Sequence, residues 1–267
     1  MPKLRNCVAV VAGTVTLGGA ALWVTVRPWW HEWGMDPEEA ARTLPGDEVV
    51  SNAPVSDTRG ITIDAPPAEV WPWLVQMGFG RAGWYSYDAL DMKGRSADRI
   101  LPDLQALAVG DVMPTHPGGG FEVRVLEPGH ALVLYLDDVL VRSQAATAAG
   151  GTDRTPANLQ AGGALMGAAQ PSEFHASWAF VLEPIGDGRT RLVERLRIQF
   201  TGGDRPWTKI TLPWMGFGVF LMVRRQLIGI RDRVERSRER AGAAVAVADT
   251  PAPAMGEPGA SADAAMA

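Results

Sequence analysis

Hydrophobic and polar residues alternate along several short stretches of the chain, which is the pattern of half-buried β-strands. The pattern predicts strands at Gly60–Asp64, Val109–Pro114, Phe121–Leu126 and Ala131–Asp137, and a hairpin of Phe174–Glu183 and Thr190–Phe200 joined through Pro184–Gly188. In the last strand Glu194 has the same parity as Leu192, Leu196 and Ile198. A second face of that strand carries Arg191, Arg195 and Arg197.

Two segments have helical spacing instead. A short helix is predicted to begin near Pro66 and to end at Gly78, with its apolar stripe at Val70, Trp73, Leu74 and Met77 and a kink at Pro72. A long helix follows from about Pro213, with a stripe at Phe220, Val223, Leu227, Ile230 and Val234. Its start is apolar on all sides, but Arg224 and Arg225 interrupt it too early for a membrane span. Burial against a sheet or around a lipophilic ligand is the better explanation.

The first 30 residues are typical of a membrane anchor. Residues 6–26 carry no charge over about the length that crosses a bilayer, and Trp29 and Trp30 follow as candidates for an interfacial belt. Lys3 and Arg5 before the run predict a cytoplasmic N-terminus and a main domain on the other side of the cell membrane. A cleaved signal peptide is the competing interpretation.

The remainder divides by composition. Residues 31–58 are acidic and are interpreted as a linker that lifts the domain off the membrane. Residues 59–240 hold the folded domain, in which the Ala- and Gly-rich stretch 142–171 predicts a mobile insertion. Residues 241–267 are rich in Ala, Pro and Gly and predict a disordered tail.

Charge and motifs exclude several function classes. The net charge of −5 gives no basic field for nucleic acid, and the single Cys7 rules out an internal disulfide or a cysteine-based metal cluster. The four histidines show no metal-ligand spacing, so neither a metal nor a cofactor is predicted. Gly78–Gly83 matches G-x-G-x-x-G, but a helix precedes it where a dinucleotide loop needs a strand. A tight turn that ends the helix is the simpler interpretation.

Several segments together resemble the SRPBCC superfamily, which includes START-like and polyketide-cyclase-like proteins. They are ITIDAPPAEVWPWLVQMG, GWYSYDALD, SADRI, LAVGDVMP, SWAFVLEP and the terminal helix. The resemblance implies an α+β helix-grip fold, in which a curved antiparallel sheet wraps a long C-terminal helix around an apolar cavity. The N-terminal transmembrane helix would precede this domain.

Glu194 is the titratable group of most interest, because an isolated carboxylate on an apolar strand face is desolvated unless it is paired. It is predicted either to point into the cavity and bind a ligand, a tyrosine or an arginine, or to be neutralised by an arginine at the sheet edge. Trp84, Tyr85 and Tyr87 form a second candidate cluster, suited to the mouth of a lipophilic pocket or to ordinary core packing.

These observations predict a membrane-tethered domain that binds a hydrophobic small molecule, either a lipid or a polyketide-like compound. The predicted ligand-binding residues are Trp73, Trp84, Tyr85, Tyr87, Trp178, Phe180, Glu194, Leu196, Phe220 and Val223. One alternative is a polyketide cyclase or dehydratase in which Glu194 acts as acid or base and a tyrosine steadies an enolate. Another is a non-catalytic interaction module of the cell envelope. The oligomeric state does not follow from the sequence.

Overall fold

The computed structural model describes residues 29–91, 94–137, 139–141, 173–186, 188–201 and 208–248. The predicted anchor at 6–26, the insertion at 142–171 and the tail beyond Ala248 lie outside these ranges. In the part of the chain that is described, no helix is both long enough and apolar enough to cross a bilayer.

The elements follow the predicted order. The strands are β1 (Val55–Ile63), β2 (Val112–His116), β3 (Gly119–Glu127), β4 (Ala131–Asp137), β5 (Glu173–Ile185) and β6 (Arg189–Thr201). The helices are α1 (Pro37–Ala40), α2 (Pro67–Val75), α3 (Asp88–Asp91) and α4 (Thr208–Ala248), with a 3-10 turn at Pro102–Leu104. Strand β4 has its predicted bounds, whereas β1 begins five residues before the predicted Gly60, at Val55.

The six strands form one antiparallel sheet in the order β1-β6-β5-β4-β3-β2. One face of this sheet, the inner face, carries Ile61, Phe180 and Leu192, which pack against α2 and α4 in the main hydrophobic core. Helix α4 contributes Val223, Leu227, Ile230 and Val234 to that core, as its apolar stripe predicts. It also continues to Ala248, beyond the predicted start of a disordered tail at Ala241.

The other face of the sheet, the outer face, is covered by a segment that the sequence had suggested was a linker. Residues 34–51, here called the N-terminal belt, run across β1, β5 and β6. Leu44 packs on Val181 and Val193 there, and Gly34 lies so close to Gly60 that no side chain would fit between them. The linker interpretation of residues 31–58 is therefore replaced, because this segment is part of the folded domain.

Three arginines of β6 hold the belt in place. Arg191 binds the Glu39 carboxylate at 2.7 Å, and Arg197 donates to the backbone carbonyls of Val50 and Ser51. Arg195, which is only 4% exposed, donates to the Asp47 carboxylate at 2.7 Å and to the carbonyls of Ala40 and Arg42. The arginine face of β6 is thus an attachment surface for the belt.

The belt yields a first prediction. Arg195→Met should lower the free energy of unfolding by about 2 kcal/mol, because it leaves two carbonyls without this donor and removes one of the two arginines that pair with Asp47. Hydrogen exchange should then speed up across residues 34–51. Arg189→Met, at an exposed position of the same strand, is the matched control and should change stability by less than about 0.5 kcal/mol. Unchanged exchange in the belt of Arg195→Met would show that this arginine does not hold the belt.

Candidate functional site

Glu194 lies on the inner face of β6, opposite Phe180 of β5 and Arg59 of β1. Its side chain has no exposed surface. One carboxylate oxygen accepts a hydrogen bond from the indole N–H of Trp178 at 2.6 Å, and the other accepts from the Arg59 guanidinium at 3.2 Å. The structure combines the two predictions for Glu194. The side chain points inward, and an arginine on the edge strand pairs with it.

Arg59 connects Glu194 to a larger buried group, here called the polar cluster, which also includes Asp57 and His31. The Arg59 side chain is fully buried and donates to the Asp57 carboxylate at 2.6 Å and to the Trp30 carbonyl at 3.1 Å. The other oxygen of Asp57 contacts the His31 ring. Two carboxylates therefore share one guanidinium. The imidazole of His31, which is half-buried, is the last member of this chain of contacts.

Burial raises the pKa of Glu194 from its ordinary value of 4.5 to about 7. Loss of hydration is the largest cause, the nearby Arg59 charge opposes it, and the Asp57 charge reinforces it. A carboxyl group with such a pKa is close to half-protonated at neutral pH. It can therefore accept or donate a hydrogen bond, or a proton, toward a molecule placed beside it.

An aromatic cluster of Trp84, Phe121, Trp178 and Phe180 adjoins Glu194. The rings of Trp84 and Trp178 stack at 5.3 Å, while Phe121 and Phe180 lie 5.6 and 5.1 Å from Trp178. The structure thus brings together four predicted ligand-binding residues from separate parts of the sequence, namely Trp84, Trp178, Phe180 and Glu194. Trp178 is the member that both touches Glu194 and remains half-buried.

Coverage of the inner face changes at Trp178. Phe180, Leu182 and Leu192 have no exposed surface, because α2 and α4 pack over them. Trp178 and its cross-strand partner Leu196 are only half-buried, and so is Ile198 farther along β6. Accessible apolar surface therefore begins beside Glu194, at the end of the closely packed core.

Two other predicted site residues belong to the core itself. Trp73 and Tyr85 are each 1% exposed, and their rings meet edge to face at 5.9 Å. The Tyr85 hydroxyl accepts from the Gln76 amide at 2.8 Å and donates to the Trp73 carbonyl at 3.2 Å. Burial raises the pKa of Tyr85 well above its usual range. Its hydroxyl thus holds the turn after α2, so Tyr85 follows the alternative of ordinary core packing and does not line a pocket mouth.

The turn that holds Tyr85 fits tightly against α4 at Gly229. A β-carbon there would overlap the Tyr85 carbonyl oxygen. Gly229→Ala should therefore lower the free energy of unfolding by about 2 kcal/mol despite the better helix propensity of alanine. Gly242→Ala, on the same helix with open space around it, should instead be neutral or stabilising by up to about 1 kcal/mol. Denaturant titration of both variants measures the contrast, and equal effects would show that the helix and the turn are not in contact.

The remaining predicted residues occupy three different environments. Tyr87 is 44% exposed. Val223 is buried in the main core. Phe220 is 1% exposed and lies between the Trp29 ring at 5.3 Å and the Arg59 guanidinium at 5.8 Å from its centroid. Of these three, only Phe220 touches the polar cluster.

The glycine motif forms a tight turn in the structure, as the simpler interpretation predicted. Gly78 and Gly83 pair through two backbone hydrogen bonds of 3.1 Å, which closes the tight turn after α2. His175 contacts the Tyr135 hydroxyl at 2.7 Å. Within the described ranges, no three His, Cys, Asp or Glu residues are arranged to hold a metal ion.

Sequence reasoning missed Arg59, Asp57 and His31 as partners of Glu194. A signal was present, since Asp57 and Arg59 have the same strand parity as Ile61 and Ile63. Charged residues at alternate positions of an apolar strand face must be paired when that face is buried. Starting the strand at Gly60 hid this pattern.

Comparisons with known proteins give similarity to solved structures only. No family model matches the chain, and no curated protein matches it. A conserved protein from Geobacillus kaustophilus is 15% identical, with 68% of this chain and 95% of that chain covered and a TM-score of 0.33. A polyketide-cyclase-like protein from Corynebacterium glutamicum is 15% identical, with 69% and 94% covered and a TM-score of 0.33.

A point mutant of norcoclaurine synthase from Thalictrum flavum, in complex with a transition-state analogue, is 10% identical. The match covers 68% of this chain and 95% of that chain, with a TM-score of 0.33. The described architecture, a six-stranded antiparallel sheet with a long C-terminal helix, fits the helix-grip fold. The helix-grip architecture that the sequence resemblance implied is thereby confirmed.

Proposed function

We propose that this domain binds a hydrophobic small molecule, of a lipid or polyketide-like class, beside Trp178 and Glu194 on the inner face of the sheet. The observation that carries the proposal is the position of Glu194. It is a fully buried carboxylate at the point where closely packed core gives way to half-buried apolar surface. Ligand sites combine mostly apolar walls with a few polar groups in this way.

The polar cluster supports a role beyond folding. A buried ion pair is often no more stabilising than well-packed apolar residues of similar volume, because both charges lose their hydration. Here the pair adjoins accessible apolar surface, where a ligand hydroxyl, amide or carbonyl would hydrogen-bond with the Glu194 carboxyl group. The ligand's apolar part would then contact Trp84, Trp178 and Leu196.

The proposal includes a tether. The uncharged run at 6–26 would anchor the protein in the cell membrane as a single span, with the N-terminus in the cytoplasm and the domain on the other side. A hydrophobic ligand partitions into membranes, so a tethered binding domain would stay close to its source.

The experiment uses the full chain, purified from its own host in mild detergent and extracted with organic solvent for mass spectrometry. Wild-type protein should release a stoichiometric apolar compound that is absent from a control membrane protein prepared in parallel. Trp178→Leu should lose the compound, while Trp71→Leu, at a half-buried tryptophan of α2, should keep it. Circular dichroism confirms that both variants fold, and a compound retained equally by both would refute a site at Trp178.

An enzyme of the cyclase or dehydratase type is the second candidate, favoured by the raised pKa of Glu194, which suits an acid–base group near neutral pH. The Tyr85 hydroxyl is occupied in the core, so Tyr85 would not be the residue that steadies an enolate. Glu194→Gln separates the two functions. Retained ligand with lost turnover of that ligand would indicate the enzyme, whereas a ligand that wild-type protein leaves unaltered would indicate a carrier or sensor.

A further inference from the structure

Apolar surface is exposed where the N-terminal half of α4 meets the first described residues of the chain. Trp29 is 55% exposed and packs edge to face on Phe220 at 5.3 Å. The next residue of α4, Leu221, is 40% exposed. A large aromatic and a large aliphatic side chain are thus both exposed next to Phe220. Isolated exposed apolar residues are ordinary, but adjacent ones indicate a contact surface.

Cations follow this apolar surface along the helix. Arg224 and Arg225 are both exposed, within one turn after Leu221. The Arg224 guanidinium lies over the Trp33 ring at 5.1 Å, which holds it beside the N-terminal segment. Exposed apolar side chains with arginines about one turn farther along the helix match the composition of a bilayer interface, where aromatic rings enter the headgroup region and arginines meet lipid phosphates.

The neighbouring tryptophans Trp29 and Trp30 have separate roles. Trp30 is 2% exposed, its ring packs on Phe217 at 4.9 Å, and its carbonyl accepts from Arg59. Trp30 therefore belongs to the domain, and of this pair only Trp29 is available to an interfacial belt. The uncharged run at 6–26 ends three positions before Trp29, so an anchor there would place Trp29 and the part of α4 beside it near the bilayer surface.

We infer that Trp29, Leu221, Arg224 and Arg225 form a membrane-docking surface that sets the domain on the bilayer with the N-terminal half of α4 toward the lipid. The occupant is a lipid surface, and anionic headgroups should bind best because both arginines face it. This inference rests on the tether of the proposed function but not on the ligand site. Docking would fix the orientation of the domain, whereas a tether alone would leave it free to rotate.

The test uses full-length protein in vesicles of phosphatidylcholine and phosphatidylglycerol, with Cys7→Ser to remove the single native cysteine. An environment-sensitive fluorophore is attached in one variant at Leu221→Cys and in another at Arg236→Cys. Arg236 is exposed on the same helix, about 22 Å farther along at about 1.5 Å per residue. Lipids with a nitroxide near the headgroup report which label touches the bilayer.

The inference predicts that the Leu221 label shifts to the blue and is quenched severalfold more than the Arg236 label. Quenching should weaken in pure phosphatidylcholine, which lacks the anionic headgroups that attract the arginines. It should also weaken at high salt, which screens that attraction. Protein that floats with the vesicles while both labels keep their aqueous emission would overturn docking and leave the tether intact. Protein that does not float would overturn both docking and the tether. In either case, extraction of the bound compound would still test the ligand site.

Discussion

Replacement of Arg59 by methionine is expected to lower the free energy of unfolding by about 4 kcal/mol at pH 8, because it leaves buried carboxylates without a cation. The guanidinium is the shared partner of Asp57 and Glu194, and both side chains are at most 4% exposed. Methionine fills much of the same volume, so the loss reports on charge more than on packing. Chemical denaturation followed by circular dichroism gives the value.

The double variant Arg59→Met/Glu194→Gln is the internal control for this prediction. Removing the Glu194 charge should recover part of the stability that Arg59→Met loses, since a neutral amide needs no cation. Arg225→Met, at an exposed site, should change stability by less than about 0.5 kcal/mol. A loss below about 1 kcal/mol in Arg59→Met, with no recovery in the double variant, would mean that the buried pair is not coupled as its geometry indicates.

The second large effect is a pH dependence that belongs to Glu194. Its pKa is about 7 in the folded protein against an ordinary value of 4.5, so the folded form holds a proton that the unfolded chain releases between these values. The resulting stability is fully present below pH 4.5 and is lost as the pH rises to about 7. The expected change is about 3 kcal/mol, from about 1.4 kcal/mol for each unit between the two values.

Glu194→Gln isolates this contribution, because other groups titrate in the same range. The pKa of His116 is lowered by burial and that of Glu39 by its bond to Arg191, and both favour the folded state as the pH rises. The difference in unfolding free energy between wild type and Glu194→Gln should therefore move in favour of the variant from pH 4.5 to pH 8. A difference that stays constant across that range would show that Glu194 remains ionised throughout.

The order of strands and helices could be predicted because the relevant signals are local. Alternation fixed β4 at its observed bounds, and the three-and-four spacing of α4 named the residues it buries. The N-terminal belt could not be found this way, since its attachment depends on contacts across more than a hundred residues, such as Glu39 with Arg191. Its acidic residues and the arginines of β6 were both visible in the sequence, but no local pattern indicates that they pair.

The candidate site was predicted in part for the same reason. Strand parity placed Glu194 on the inner face, and the aromatic positions Trp84, Trp178 and Phe180 do meet beside it. Composition could not show that the Tyr85 hydroxyl is taken up inside the turn, because that depends on the path of the chain around Gln76. Arg59 was missed because the predicted β1 began at Gly60, so the alternating pattern was not followed back to Arg59.

Quenching of Trp178 fluorescence by a dibrominated fatty acid shows directly whether an apolar ligand lies against this residue. The chain has ten tryptophans, so the Trp178 signal is taken as the difference between wild type and Trp178→Phe in identical nanodiscs. Subtraction removes quenching at Trp29 and at other sites that the bilayer could reach. With a ligand site beside Trp178, the difference signal should be quenched saturably at one acyl chain per protein. A difference signal that is unchanged at saturating brominated acid would contradict a ligand site beside Trp178 and Glu194.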